Sequence, residues 1–139
     1  MTKVGIIGTG MLGEAVGLHL LNSNHTVTVF NRTKDKTEKL VQAGATLAES
    51  PKEVAENSDL VITVVRDADA VSEVAFGENG IISGKHDGLV VADMSTINPN
   101  SAKEISQKFE SSGVEFLEIP VMGGPNVAID GKLVMMVSG

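Results

Sequence analysis

Short apolar runs alternate along this chain with longer stretches in which apolar residues recur every three or four positions. The run at residues 4–7 stops at Gly8, and a helical pattern then extends to Asn22. Alternating β-branched residues predict a second strand at 27–30, and a nearly continuous apolar run at 60–65 predicts a strand covered on both faces. Further strands are predicted at 89–92, 115–119 and 133–137.

Helices are predicted between these strands, at residues 34–43, from 50 onward, at 68–76 and at 98–112. Sequence signals mark their ends: Gly44 follows the first, Ser50 and Glu53 form a capping box, and Asn98 precedes Pro99. The last helix is expected to bury Ala102, Ile105 and Phe109. Strands that alternate with helices are typical of the α/β class. We therefore expect one three-layer domain with a mostly parallel, doubly wound sheet.

The composition narrows the class of function. Eleven basic and eighteen acidic residues give a net charge of −7, which argues against a nucleic-acid surface or an anionic-membrane surface. No apolar run approaches the roughly 20 residues of a membrane helix, and no signal-peptide pattern precedes the first strand. The absence of cysteine excludes disulfides and thiolate metal sites. We expect a cytoplasmic protein that holds any phosphate-bearing ligand with local donors.

Residues 8–13 read G-x-G-x-x-G between the first strand and the first helix. In this context Gly8 permits a tight turn, Gly10 lets the backbone approach a diphosphate, and Gly13 lets the helix pack on the strand. The free N–H groups and the positive end of the helix then favour an anion. A tight turn without a ligand is the alternative. We predict a Rossmann-type dinucleotide site formed by Gly8, Thr9, Gly10, Met11, Leu12 and Gly13.

The end of the second strand favours NADP over NAD. Sites specific for NAD usually carry Asp or Glu there, about 20 residues after the glycines, to bind the ribose 2′-hydroxyl. This chain has Asn31, Arg32 and Thr33 instead. The guanidinium fork of Arg32 suits a 2′-phosphate, and Asn31 and Thr33 add neutral donors. The alternative is that Arg32 is a solvated surface residue.

The segment DMSTINP, at residues 93–99, follows the predicted strand at 89–92. Open α/β sheets bind ligands at the carboxyl ends of their strands. Ser95 and Thr96 offer hydroxyl groups beside a helix N-terminus, which is a suitable place for a carboxylate. The residues alone leave open whether these hydroxyls bind a ligand or only cap the helix that begins at Asn98.

The chain resembles the β-hydroxyacid dehydrogenase family, which includes 3-hydroxyisobutyrate dehydrogenase, glyoxylate/succinic semialdehyde reductase and tartronate semialdehyde reductase. The resemblance covers essentially the whole chain. It rests on ordered motifs: IIGTGMLG, FNRT, LVITVV, DMSTINP and EIPVMGGPNVAIDGKL. DMSTINP is the most discriminating of them because it resembles the family's substrate-loop signature, D-x-S-T-x-x-P. The resemblance implies an NADP-dependent enzyme that interconverts a small hydroxyacid and its semialdehyde.

By this resemblance, Ser95 binds the substrate carboxylate and Thr96 lies against the nicotinamide. Val64 and Val65 would line the cofactor path. The segment around Met122, Gly123 and Gly124 resembles a substrate loop that usually reads P-V-S-G-G. Because Met122 stands in place of the serine, one hydroxyl contact is lost and a less polar pocket wall is expected.

The family's catalytic lysine belongs to a G-x-x-G-x-G-x-x-x-K-x-x-x-N pattern, which this sequence lacks. The all-helical second domain of the family is also absent from it. We therefore interpret residues 1–139 as the cofactor domain, able to bind cofactor but poorly active alone, and expect it to self-associate through an uncovered face. Two alternatives share this scaffold: an imine reductase, and a non-catalytic NADP-binding module. DMSTINP argues against the first.

Overall fold

Six strands lie side by side in one sheet, and every hydrogen-bonded pair of neighbours is parallel. The computed structural model describes residues 2–95, 97–119, 121–122 and 134–135. The sheet strands are β1 (Lys3–Ile7), β2 (Thr26–Phe30), β3 (Thr46–Leu47), β4 (Leu60–Thr63), β5 (Val90–Asp93) and β6 (Glu115–Glu118). The α-helices are α1 (Met11–Asn22), α2 (Glu38–Gln42), α3 (Pro51–Glu56), α4 (Ala68–Phe76) and α5 (Pro99–Ser111).

The strand order is β3-β2-β1-β4-β5-β6, which confirms the predicted Rossmann-like α/β class. The chain builds outward from β1 to β3, returns to place β4 on the other side of β1, and then builds outward again. Because the direction of building reverses between β1 and β4, the loops after these two strands diverge there and leave a crevice at the carboxyl edge. This switch point determines where a ligand can sit.

The two faces of the sheet each bury their own apolar core. In β1, Ile6 packs into the core beneath α1 and α2, whereas Ile7 packs into the core beneath α3, α4 and α5. In β4, Ile62 packs into the same core as Ile6, and Val61 packs into the same core as Ile7. Burial on both faces accounts for strands that are apolar at nearly every position, and it confirms the three-layer arrangement.

Phe109 occupies the centre of the second of these cores. It is fully buried, and its ring centroid lies 4.8 Å from that of Phe76 and 4.9 Å from that of Phe116. Ala102 and Ile105 complete the buried stripe of α5, as the sequence pattern predicts. These contacts hold α5 beside β6.

The predicted helix ends are confirmed by their hydrogen bonds. The Ser50 side chain accepts from the backbone N–H of Glu53 at 3.2 Å, and Asn98 Oδ1 accepts from Ser101 N–H at 2.9 Å. Asp67 caps α4 in the same manner, accepting from Ala70 N–H at 2.9 Å. Gly44 adopts a φ of 118°, a left-handed conformation that glycine allows at little cost.

The structure departs from the sequence prediction in three places. The predicted helix at 34–43 is divided into a 3₁₀ turn, Lys34–Thr37, followed by α2, because the Thr37 hydroxyl donates to the Lys34 carbonyl at 2.6 Å. Strand β3 was not predicted, since its two residues are too few to show a period. Strand β8 (Val134–Met135) pairs antiparallel with β7 (Val121–Met122) rather than joining the six-stranded sheet.

None of the helices in the part of the chain that the structure describes is both long and apolar enough to cross a bilayer.

Candidate functional site

The glycine turn joins β1 to α1 at the switch point. Gly8 has a φ of 97°, and its N–H donates to the carbonyl of Phe30 at 2.9 Å. A Cβ atom on Gly8 would overlap the carbonyl oxygen of Val64, and a Cβ atom on Gly13 would overlap the carbonyl oxygen of Gly8. Packing within the chain therefore requires glycine at both positions, with α1 held directly against the end of β1.

Gly10 differs from these two glycines. A Cβ atom built on it meets nothing within 4 Å, so the described part of the chain gives no steric reason for a glycine there. Gly10 is the N-cap of α1, and no side chain caps this helix. The first N–H groups of a helix have no partners inside the helix. The first N–H groups of α1 thus face an open space at the positive end of the helix.

A cleft of about 570 Å³ opens between this turn, the end of β2 and helix α4. Among the predicted cofactor residues, those that line it are Gly8, Gly10, Asn31, Arg32, Thr33, Val64 and Val65. The turn's other members lie differently: Thr9 and Gly13 are buried, Leu12 is half-buried, and Met11 is 79% exposed at the start of α1. The fold thus brings predicted residues from three loops together around one cavity.

Asn31 links the glycine turn to the end of β2. Its Oδ1 accepts from the N–H of Thr9 at 2.9 Å, and its Nδ2 donates to the carbonyl of Thr33 at 3.0 Å. Because one amide proton is used in this way, Asn31 acts here mainly as a brace that fixes both loops. The Thr9 hydroxyl is buried and has no hydrogen-bond partner among the described residues.

Arg32 lies at the mouth of the cleft. It is exposed, and its Nη2 lies 2.6 Å from Oε2 of Glu73, which comes from α4 on the opposite wall. Lys36 also lines this part of the cleft. Glu73 and Lys36 are not among the site residues predicted from the sequence. The sequence contains one signal for Glu73, which is its helical spacing from other residues that line the cleft. These residues lie on one face of α4: Asp69, Ala70, Glu73 and Val74.

A second polar group joins the ends of β4 and β5. Asp93 is buried, and its Oδ1 accepts from the Thr63 hydroxyl at 2.8 Å and from the N–H of Ser95 at 3.1 Å. The Ser95 hydroxyl accepts from the N–H of Val65 at 2.9 Å. Ser95 is therefore held against Val65, which lines the cleft, although Ser95 is not itself among the lining residues. The capping of α5 is left to Asn98.

Four further site residues are predicted: Met122, Gly123 and Gly124 for the substrate, and Thr96 for the cofactor. Met122 lies in β7, where the structure describes the backbone alone. Thr96, Gly123 and Gly124 lie outside the described residues. Within the described ranges, no cluster of three or more His, Cys, Asp or Glu side chains is arranged to hold a metal ion.

Comparison with known proteins gives a family match over nearly the whole chain. Residues 3–139 match the model of the NAD binding domain of 6-phosphogluconate dehydrogenase. The uncharacterized oxidoreductase YkwC of Bacillus subtilis is 38% identical over 136 residues, 98% of this chain and 47% of that protein. The cytokine-like nuclear factor N-PAC of Xenopus tropicalis is 36% identical over 99% of this chain but only 26% of its own length. The chain thus spans less than half of the length of these two relatives.

Solved structures resemble the chain closely. A 3-hydroxyisobutyrate dehydrogenase from Mycobacterium tuberculosis, solved with L-serine, has a TM-score of 0.92 and 26% identity, covering 100% of this chain and 47% of that one. Psf3 in complex with NADP+ and 2-OPP also has a TM-score of 0.92, with 31% identity, covering 98% and 48%. An imine reductase from Myxococcus stipitatus in complex with NADP+ scores 0.84 at 27% identity, covering 90% and 43%.

The Asp93 network generates a pH-dependent prediction. Burial raises the pKa of the Asp93 carboxyl above its ordinary 3.8, while the hydrogen bonds from Ser95 and Thr63 oppose this shift. The folded state therefore keeps this proton to a higher pH than the unfolded state does. Its contribution to the free energy of unfolding is largest below pH 3.8 and is lost as the pH rises through the folded pKa.

We expect the free energy of unfolding of the wild type to rise relative to that of Asp93→Asn as the pH is lowered from 7 to 4, by at most about 1.4 kcal/mol for each tenfold by which burial increases the proton affinity of the carboxyl. Urea denaturation across this range measures the difference, and the exposed Asp35→Asn serves as the control. A difference that stays constant, or that shrinks on acidification, would contradict the burial argument.

Proposed function

The chain belongs to the family of the NAD binding domain of 6-phosphogluconate dehydrogenase, and from this premise we propose that it holds NADP(H) for an oxidoreductase. That enzyme would interconvert a small β-hydroxyacid and its semialdehyde. The observation that carries the proposal is the open space before Gly10, enclosed by Gly8, the free end of α1 and Arg32. This is the arrangement that a dinucleotide diphosphate requires.

The residues present fit such a cofactor. The space beside the Gly10 Cα is open, with nothing within 4 Å of a Cβ built there, and the N–H groups of the first turn of α1 would face a diphosphate bound in it. When bound, NADP(H) supplies the hydride carrier. The protein would orient the bound cofactor. The hydrogen bond of Asn31 to Thr9 fixes the glycine turn, and Val64 and Val65 provide an apolar wall after β4.

The preference for NADP is assigned to the end of β2. Phe30, Asn31, Arg32 and Thr33 place no carboxylate where NAD-specific sites usually carry one. Arg32 offers a planar charged fork, and Lys36 adds a second positive charge to the same part of the cleft. Both groups favour a 2′-phosphate over a 2′-hydroxyl.

The substrate is assigned to the carboxyl edge of β5. The Ser95 hydroxyl is fixed there through Asp93 and the N–H of Val65, and we assign it to the substrate carboxylate. Thr96 is assigned to the nicotinamide, and Met122, Gly123 and Gly124 to the second substrate loop, on the family pattern alone. A methionine in that loop favours a substrate with an apolar substituent.

We also propose that residues 1–139 form the cofactor-binding part of a two-part enzyme. Reduction of a carbonyl needs a proton donor within hydrogen-bond reach of the oxygen. Among the described residues, Lys36 lines the cleft four positions after Arg32, whereas Ser95 is not one of the lining residues. Lys36 is therefore not assigned as that donor. A catalytic lysine carried by a further, helical part would supply the proton.

A second candidate is a nucleotide-binding module without turnover. This candidate is supported by the similarity to N-PAC, which is named as a nuclear factor and matches 99% of this chain. An imine reductase is less well supported, since the solved example matches at a lower TM-score and DMSTINP is a hydroxyacid-type signature.

Arg32→Ala tests the cofactor proposal. We expect the affinity for NADP+ to fall about 10- to 100-fold, because a charge-assisted hydrogen bond is worth about 1.5–3 kcal/mol, while that for NAD+ changes little. Isothermal titration calorimetry with both nucleotides measures this. Lys34→Ala, which removes a lysine paired with Glu49 outside the cleft, is the matched control. Equal weakening of both nucleotides would rule out the 2′-phosphate role.

Turnover tests the division into two parts. The 139-residue chain should bind NADPH but reduce succinic semialdehyde or glyoxylate far more slowly than about 1 per second, the lower end of typical enzyme rates. Absorbance at the NADPH band follows the reaction. A rate of that order or higher from this chain would show that it supplies its own proton donor.

A further inference from the structure

The ion pair of Arg32 and Glu73 crosses the mouth of the cleft. Arg32 belongs to the loop after β2, whereas Glu73 belongs to α4, 41 residues later, and the two walls face each other across the cavity. The Nη2–Oε2 distance is 2.6 Å, and both side chains are largely exposed. The pair is therefore free to open, and its strength is set by competition with solvent and with any charged ligand.

A 2′-phosphate carries a charge between −1.5 and −2 near neutral pH, by analogy with other phosphate monoesters. To reach the Arg32 guanidinium it must either displace the Glu73 carboxylate or accept a like charge close by. Both routes cost binding free energy for NADP(H). NAD(H) has only a hydroxyl at this position and meets neither cost.

Glu73 also offers what the end of β2 lacks. A site for NAD normally presents a carboxylate that accepts a hydrogen bond from the ribose 2′-hydroxyl. In this chain a carboxylate from the opposite wall lies 2.6 Å from Arg32, two residues after the end of β2. The two members of the pair thus favour different nucleotides.

We propose that Glu73 is a cofactor-specificity residue that opposes Arg32. Its carboxylate competes with the 2′-phosphate of NADP(H) for the guanidinium and accepts the 2′-hydroxyl of NAD(H), so that it lowers the preference for NADP(H). This inference rests on the proposed function, because it requires that the cleft bind the nucleotide.

The expected effect is modest because the pair is exposed. Exposed ion pairs change equilibrium constants by up to about fivefold. Glu73→Gln keeps the size of the side chain and an acceptor oxygen but removes the charge. It should raise the ratio of NADP+ affinity to NAD+ affinity about two- to fivefold. The change should come mainly from tighter NADP+ binding.

Glu78→Gln is the matched control. Glu78 is exposed and lines the same cleft, and the structure shows it in no ion pair with Arg32. The same substitution there removes an equal charge from the cleft without releasing the guanidinium. The double variant Arg32→Ala, Glu73→Gln tests whether the effect acts through Arg32.

Isothermal titration calorimetry with NADP+ and NAD+ on the 139-residue chain measures all of these ratios. We expect the ratio to rise in Glu73→Gln, to stay unchanged in Glu78→Gln, and to rise by less when Glu73→Gln is added to Arg32→Ala. An unchanged ratio in Glu73→Gln overturns the inference. So does an equal rise in Glu78→Gln or in the Arg32→Ala background, since either indicates a general field effect.

Failure of the proposed function and failure of the Glu73 inference give different titration results. If the wild type binds neither nucleotide, the proposed function is wrong and this inference falls with it. If the wild type binds NADP+ and Arg32→Ala weakens it selectively while Glu73→Gln does not change the ratio, the inference about Glu73 alone is wrong.

Discussion

The close approach of the first helix to the first strand is the constraint on which the site depends. The backbone of the turn passes so near the Val64 carbonyl, and α1 so near the Gly8 carbonyl, that a side chain fits at neither Gly8 nor Gly13. This contact points the uncapped end of α1 at the switch point between β1 and β4. The two buried cores hold the strands and helices that keep this turn in place.

Two polar arrangements then give the carboxyl edge its chemical character. The buried network of Asp93, Thr63 and Ser95 joins the ends of β4 and β5 and presents a fixed hydroxyl. The exposed pair of Arg32 and Glu73 lies across the opposite part of the cleft. Burial makes the first arrangement rigid and sensitive to protonation, whereas exposure makes the second one weak and easily displaced.

The sequence was sufficient to predict features that depend on local pattern. Helix α4, the caps at Ser50 and Asn98 and the buried stripe of α5 all follow from periodicity and capping signals, and each is confirmed. Features that depend on distant contacts were not predictable in this way. Glu73 meets Arg32 only because the fold brings α4 opposite the end of β2, and β3 forms only because β2 offers it an edge.

The Gly10→Ala variant tests whether a diphosphate binds at the glycine turn, because the open space beside Gly10 has no structural role in the described part of the chain. Its affinity for NADP+, measured by calorimetry, should fall at least tenfold, while its free energy of unfolding in urea changes by less than about 1 kcal/mol. Val41→Ala, at an exposed side chain of α2 outside the cleft lining, should leave the NADP+ affinity nearly unchanged. An unaltered affinity in Gly10→Ala would show that the diphosphate does not bind at this turn.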